Sequence, residues 1–260
     1  VESPLVALVA HGNDALAHGE APELLASCSA FRRIAGVAFA FADGADRPPL
    51  LGTAAWLEEL ARRNVTRIDL VVDLRVTASA SAFEGGLGWR IETRHPGHAS
   101  RWATEWLHDD GPGLPLRLAF TEERALPLGL AATGDGALDA ARGALDAALA
   151  DAHAFSDGRG LGFGWRFADA RTALHDASPR PVRHPDLLPP RGFPLAARQL
   201  VAAADRGWVF GGMGAWNDRV FDDEDEQALF ERLSTNLLHT LVIAAGSGTN
   251  AYRPLAAAAG

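Results

Sequence analysis

The sequence predicts an α+β fold, a mixed or antiparallel sheet with helices packed on it. Two stretches, Ile34 to Phe41 and Thr66 to Val76, alternate large apolar residues with small or charged ones at the period of a half-buried strand. Other stretches, such as Thr53 to Asn64 and the long run after Asp222, repeat their apolar residues at helical spacing. At 260 residues and 48% hydrophobic, the chain is long enough to bury a full core. A three-layer α/β arrangement is the alternative.

Taken in order, Ser3-Pro4 opens one helix and Ala21-Pro22-Glu23 a second, a helical N-terminal arm over residues 1–33. IAGVAFAF from Ile34 reads as buried strand, and ADGADRPP breaks it. Thr53 begins a helix whose Trp56, Leu57 and Leu60 share a face. TRIDLVVDLRV is the next strand, with Asp69 and Asp73 on its second face; Thr77 to Gly86 reads as loop, and GLGWRIETR as strand. His98, Trp102 and Trp106 stand at i, i+4 and i+8, which predicts a short helix, and Leu116 to Thr121 a strand. Strand, helix, strand, strand, helix, strand over 34–121 is the order of a ferredoxin-like βαββαβ unit, here placed in an α+β segment 34–125. The remainder, 126–260, is expected to be an α/β part on the same core. Its elements are a helix from Asp135, a strand Leu161 to Ala168, a short helix near Thr172, a Pro-rich loop, a helix Pro194 to Ala204, a strand at Trp208 and a final helix from Asp222. Leu229, Leu233, Leu237 and Leu241 form that last helix's apolar stripe. Its acidic start opposes the helix dipole and needs no functional explanation.

Composition excludes several functions. A net charge of -9 argues against nucleic acid and against anionic membrane surfaces, which require clustered basic residues. All 24 basic residues are arginine. Without a lysine there is no Walker-type phosphate loop, no Schiff base, no pyridoxal phosphate anchor and no kinase lysine, so no cofactor of those classes is expected. The excess of Ala, Gly, Arg and Pro is the bias of a GC-rich bacterial genome. One cysteine, Cys28, permits no internal disulfide and reads as a small buried hydrophobe. No apolar run reaches the roughly twenty residues of a spanning helix, and the first thirty residues lack the pattern of a secretory signal. The expectation is a soluble cytoplasmic protein.

The most concentrated stretch is Gly207 to Phe221, with two tryptophans, Gly211, Gly212, Gly214 and the only methionine, Met213. Its turn at Trp216-Asn217-Asp218, with Trp208 before it, either plugs the core or offers a recognition surface. A second pattern, Gly-apolar-Gly-Trp-Arg-apolar, occurs at Gly86–Ile91 and Gly162–Phe167. Read as strands, the two copies give a glycine-floored groove flanked by Arg90 and Arg166, suited to a carboxylate or phosphate, or simply close packing. For a divalent metal the weak candidates are His95, His98, His108 and Asp109. His175-Asp176 and His184-Pro185-Asp186 bracket the Pro-rich loop Ser178 to Pro194, long enough to be a lid or binding loop. No nucleophile elbow and no dinucleotide fingerprint in a strand–helix context is present. Two functions follow as expectations. One is a non-enzymatic binding or interaction protein for an unknown protein or small-molecule ligand. The other is a metal-assisted hydrolase acting on an anionic small substrate.

Overall fold

The computed structural model describes residues 3–43, 48–73, 88–108, 116–126, 135–211 and 214–254. Their strands are β1 (Ile34–Ala40), β2 (Leu50–Leu51), β3 (Arg67–Asp73), β4 (Gly88–His95), β5 (His98–His108) and β6 (Leu116–Leu126). Their helices are α1 (Ser3–His18), α2 (Leu24–Ser27), α3 (Thr53–Arg62), α4 (Asp135–Gly158), α5 (Gly164–Ala173), α6 (Leu195–Gly207) and α7 (Glu224–Thr249). The strands form one mixed sheet in the order β2-β1-β6-β5-β4-β3. Only β1 and β6 run parallel; the other neighbours are antiparallel. The α+β architecture with a mixed sheet is therefore the one observed.

Period-two alternation divides the sheet into two unlike faces. Val37, Phe39, Ile68, Leu70, Trp89, Ile91, Trp102, Leu118 and Phe120 are buried on one of them. Helix α3 lays Trp56, Leu57 and Leu60 on this face, as its spacing predicts. Phe39 stacks on Trp56 at 4.5 Å and on Phe120 at 4.9 Å, while Trp102 meets Phe39 and Trp56 edge-on. Parallel and edge-on contacts of this kind add to the burial of the rings themselves. The opposite face carries Arg90, Glu92, Arg94 and Arg101, with Arg101 paired to Glu92 across the β4–β5 ladder at 3.0 Å. Asp69 lies on that second face yet is 1% exposed, held between Arg67 and Arg94.

Several expectations are corrected. Residues 98–108 are strand, not helix, so the ferredoxin-like order loses its second helix. Spacing of i, i+4, i+8 is shared by a helical stripe and by alternate residues of a strand, and Ser100 and Thr104 between the aromatics hid the second reading. Helix α1, in the helical N-terminal segment, is part of the core: Leu5 to Ala10 are at most 1% exposed, packed against β3, β4, α3 and α7. The C-terminal part is helical instead of α/β: among the described residues α4, α5, α6 and α7 pack on one another and no strand follows β6. Gly164–Ala173 is α5, and Trp208 to Phe210 belongs to no strand.

Helices α1 and α7 also close the sheet's outer edge. The N–H and C=O of an edge strand that point away from its neighbour need partners. Ile68 N–H donates to Asn13 Oδ1 at 2.9 Å, and Asn13 Nδ2 donates to Ile68 O at 2.7 Å. Asn250, at the end of α7, does the same for Leu70 at 2.7 and 2.8 Å. Two side-chain amides thus replace a seventh strand. Gly12 lets α1 come this close, since a Cβ there would fall 2.6 Å from Ile68 Cδ1.

Candidate functional site

The residues singled out by the Gly-rich turn are packing elements. Trp216 is fully buried, its indole N–H donates to Ser234 Oγ at 2.7 Å, and Phe163 and Phe167 meet its ring edge-on. Trp208 is 5% exposed. Asn217 Oδ1 accepts the Gly211 N–H at 3.1 Å and Asp218 Oδ2 accepts that of Ala215 at 3.1 Å, so both side chains serve their own turn. Gly212 and Met213 lie outside the described residues.

Arg90 and Arg166 do not share a groove. Arg90 is on β4, whereas Arg166 is on α5 with its guanidinium 5.0 Å from the Trp165 ring centroid. The second glycine pattern is a helix start, where a Cβ on Gly164 would collide with the Asp157 carboxylate. That carboxylate at the first turn of α5 is a favourable charge for the helix dipole.

The histidine group is dispersed as well. His95 and His98 face each other across the β4–β5 hairpin with rings stacked at 4.3 Å and 7°. Parallel rings at this spacing do not aim their in-plane lone pairs at a common ion. Burial holds His95 below the ordinary histidine value, helped by the neighbouring His98, and its Nε2 has no hydrogen-bond partner. His108 stands at the far end of the 11-residue β5, about 30 Å from His98 at strand rise. The His108 side chain and Asp109 lie outside the described residues.

The Pro-rich segment between α5 and α6, residues 174–194, builds a concave site. Six of its residues are prolines, which donate no N–H and interrupt helix and ladder hydrogen bonding. Three aspartates take up N–H groups in and beside it. Asp176 Oδ1 accepts from Ser178 at 2.8 Å, and buried Asp205 of α6 accepts from Val182 and Arg183 at 2.7 and 3.1 Å. Asp186 Oδ2 accepts the Ser29 N–H at 2.8 Å and Oδ1 accepts the Ser29 hydroxyl, tying the segment to the N-terminal region. Its carbonyls are held by Arg198 (to Pro189, 2.8 Å), Arg206 (to Arg180, 3.2 Å), Gln199 (to Asp176, 2.9 Å) and His11 Nε2 (to Asp186, 2.9 Å). Leu187 and Leu188 anchor it in the core. The result is a rigid strap, not a free lid.

Under the strap lies a cleft of about 490 Å³, with His11, Pro181, Asp186, Pro189, Leu195 and Arg198 among its walls. No family model, curated protein or solved structure matches the chain. What the cleft does must therefore come from its own chemistry. Proline walls offer apolar surface and no donors. Charge enters through Arg180 and Arg198, against the single carboxylate of Asp186. Two bonds from Ser29 hold Asp186 below the ordinary carboxylate value against the opposing effect of burial. Burial alone pushes the Arg198 guanidinium down, and among the described residues no carboxylate pairs with it.

Ser29, His184 and Asp186 form a serine–histidine–aspartate cluster, with Ser29 Oγ 3.1 Å from His184 Nδ1. Both partners meet the hydroxyl itself, with Ser29 Oγ donating to Asp186 Oδ1, and among the described residues no hydrogen bond joins His184 to Asp186 as a serine–histidine–aspartate relay would need. Burial also keeps His184 below the ordinary histidine value, with Asp205 and Asp186 pulling up and Arg183 and Arg32 pushing further down. Cys28, behind this cluster, is buried as expected, and burial pushes its thiol up to about 11. The sequence signalled the strap through its prolines and its His-Pro-Asp, but Arg198 and His11 gave no signal, because helices from distant parts of the chain bring them there.

Proposed function

We propose that this chain is a non-enzymatic binding protein whose small-molecule ligand occupies the cleft beneath the 174–194 strap. The observation that carries the proposal is the construction of that wall: a cleft of about 490 Å³ whose irregular wall is fixed in advance by side-chain hydrogen bonds. Small-molecule sites fall in the roughly 300–1,000 Å³ range and are largely preformed, apolar and furnished with a few polar groups. Preformed walls lower the ordering cost of binding. The hydrolase alternative would need converging metal ligands, and among the described residues no three His, Cys, Asp or Glu are grouped to hold an ion.

The test is a fragment screen by protein-observed NMR on the full chain and on Ala177→Trp, which adds an indole at a residue lining the cleft. Fragments that shift His11, Leu188 and Leu195 in the parent and lose those shifts in the variant are the expected result. Fragments that bind both proteins alike, or a turnover of any screened compound, would contradict the proposal.

A further inference from the structure

We infer that the ligand of this cleft is an amphiphilic monoanion, a carboxylate on an apolar body, with Arg198 as its anchor. This rests on the cleft being the binding site and adds what that site selects. The protein is acidic overall, yet the cleft's charged lining is two guanidiniums and one carboxylate. That carboxylate, Asp186, is already satisfied on both oxygens by Ser29. Arg198 is different. One N–H of its fork is fixed on Pro189 O at 2.8 Å, its plane lies 5.9 Å from the Phe193 ring, and no described carboxylate neutralises it. The remaining donors of this half-buried guanidinium have no described partner, and an anion in the cleft would meet them through charge-assisted bonds.

The walls define the rest of the ligand. Pro179, Pro181, Pro185, Pro189, Leu188 and Leu195 supply apolar contact without a donor. A body of carbon fits them, the polar side chains of the lining being His11, Ser178, Arg180, Asp186 and Arg198. Of the two guanidiniums Arg180 is exposed, while Arg198 is half-buried and fixed on Pro189 O, so one anchored guanidinium matches one carboxylate.

The experiment uses 3-phenylpropanoate and its neutral isostere 3-phenylpropanamide, with methyl-labelled full-length protein so that Leu188 and Leu195 report binding in the cleft. The expected result is that the acid binds at least about ten-fold more tightly than the amide. Arg198→Gln should abolish that preference, read as the ratio of acid to amide affinity within the same variant; Arg198→Lys, which keeps the charge but not the planar fork, should retain part of it. Unchanged thermal melts of the ligand-free variants would show that the loss is not one of folding. Equal affinity of acid and amide would overturn the anion inference and leave the cleft as the site. Failure of both to perturb Leu188 and Leu195 at millimolar concentration would overturn the cleft reading, and the inference with it.

Discussion

Two irregular connectors of the helical half can be set side by side: the Gly-rich segment 208–223 before α7 and the Pro-rich strap 174–194 before α6. Among the described residues neither contains an α-helix or a strand, the first having only the 3-10 turn Trp216–Asp218, and each is fixed by different forces. The first is held by aromatic burial, with Trp216 at its centre among Phe155, Phe163, Phe167 and Phe230. The second is held by charge-assisted hydrogen bonds, its backbone N–H groups donating to aspartates and its carbonyls accepting from arginines. Burial consumes the surface it uses, whereas polar stapling at the strap's back leaves its front free. The Pro-rich connector therefore carries a cleft and the Trp-rich one a core.

The comparison can be broken from either side. Trp216→Ala should be the largest effect, destabilising by about 3–5 kcal/mol in denaturant melts, as for other fully buried aromatics. It should leave the Leu188 and Leu195 signals in place, because the strap does not depend on that ring. Asp205→Ala should cost about 1–3 kcal/mol by orphaning the Val182 and Arg183 N–H groups, and here the cleft signals should broaden. A strap unaffected by this change would remove the distinction.

The pH response is smaller and sharper. His184 and Asp186 both have folded values below their ordinary ones, so the unfolded chain binds protons more readily and stability rises with pH. The His184 contribution is complete above about pH 6.5 and fades as pH falls through its folded value; that of Asp186 is complete above about pH 4 and is lost below. His95 adds a background in the upper window, so the strap should be followed by residue-specific NMR titration. Ser29→Ala should raise the Asp186 value and leave His95 unmoved. The smallest effect is expected at Asn217→Ala, within about 0.5 kcal/mol, since its bond to Gly211 is solvent-exposed.

Much of the fold was legible in the residues, and the failures have physical causes. Strands β1, β3 and β4 announced themselves by clean alternation, and α3 by Trp56, Leu57 and Leu60. Strand β5 did not, because His98, Trp102 and Trp106 satisfy both periods. Alternating Phe163, Trp165 and Phe167 read as strand, yet in α5 Phe163 and Phe167 reach Trp216 together while Trp165 remains 65% exposed. The site was half legible. Prolines and His-Pro-Asp marked the strap, but tryptophan and glycine drew more notice at 207–221, where rarity of residue type reflects packing. Arg198 and His11 carry no local mark, since only tertiary structure brings α1 and α6 to the same wall.

The central claim is that the strap is a prebuilt wall, and amide hydrogen exchange at Val182 and Arg183 tests it most directly. Their N–H groups lie in a connector without helix or sheet, and the Val182 side chain is exposed. Bound to buried Asp205, they should exchange as slowly as amides in α6 and speed up together in Asp205→Ala. Exchange in the parent protein at the rate of an unprotected peptide would contradict the account, for a strap that opens freely builds no cleft.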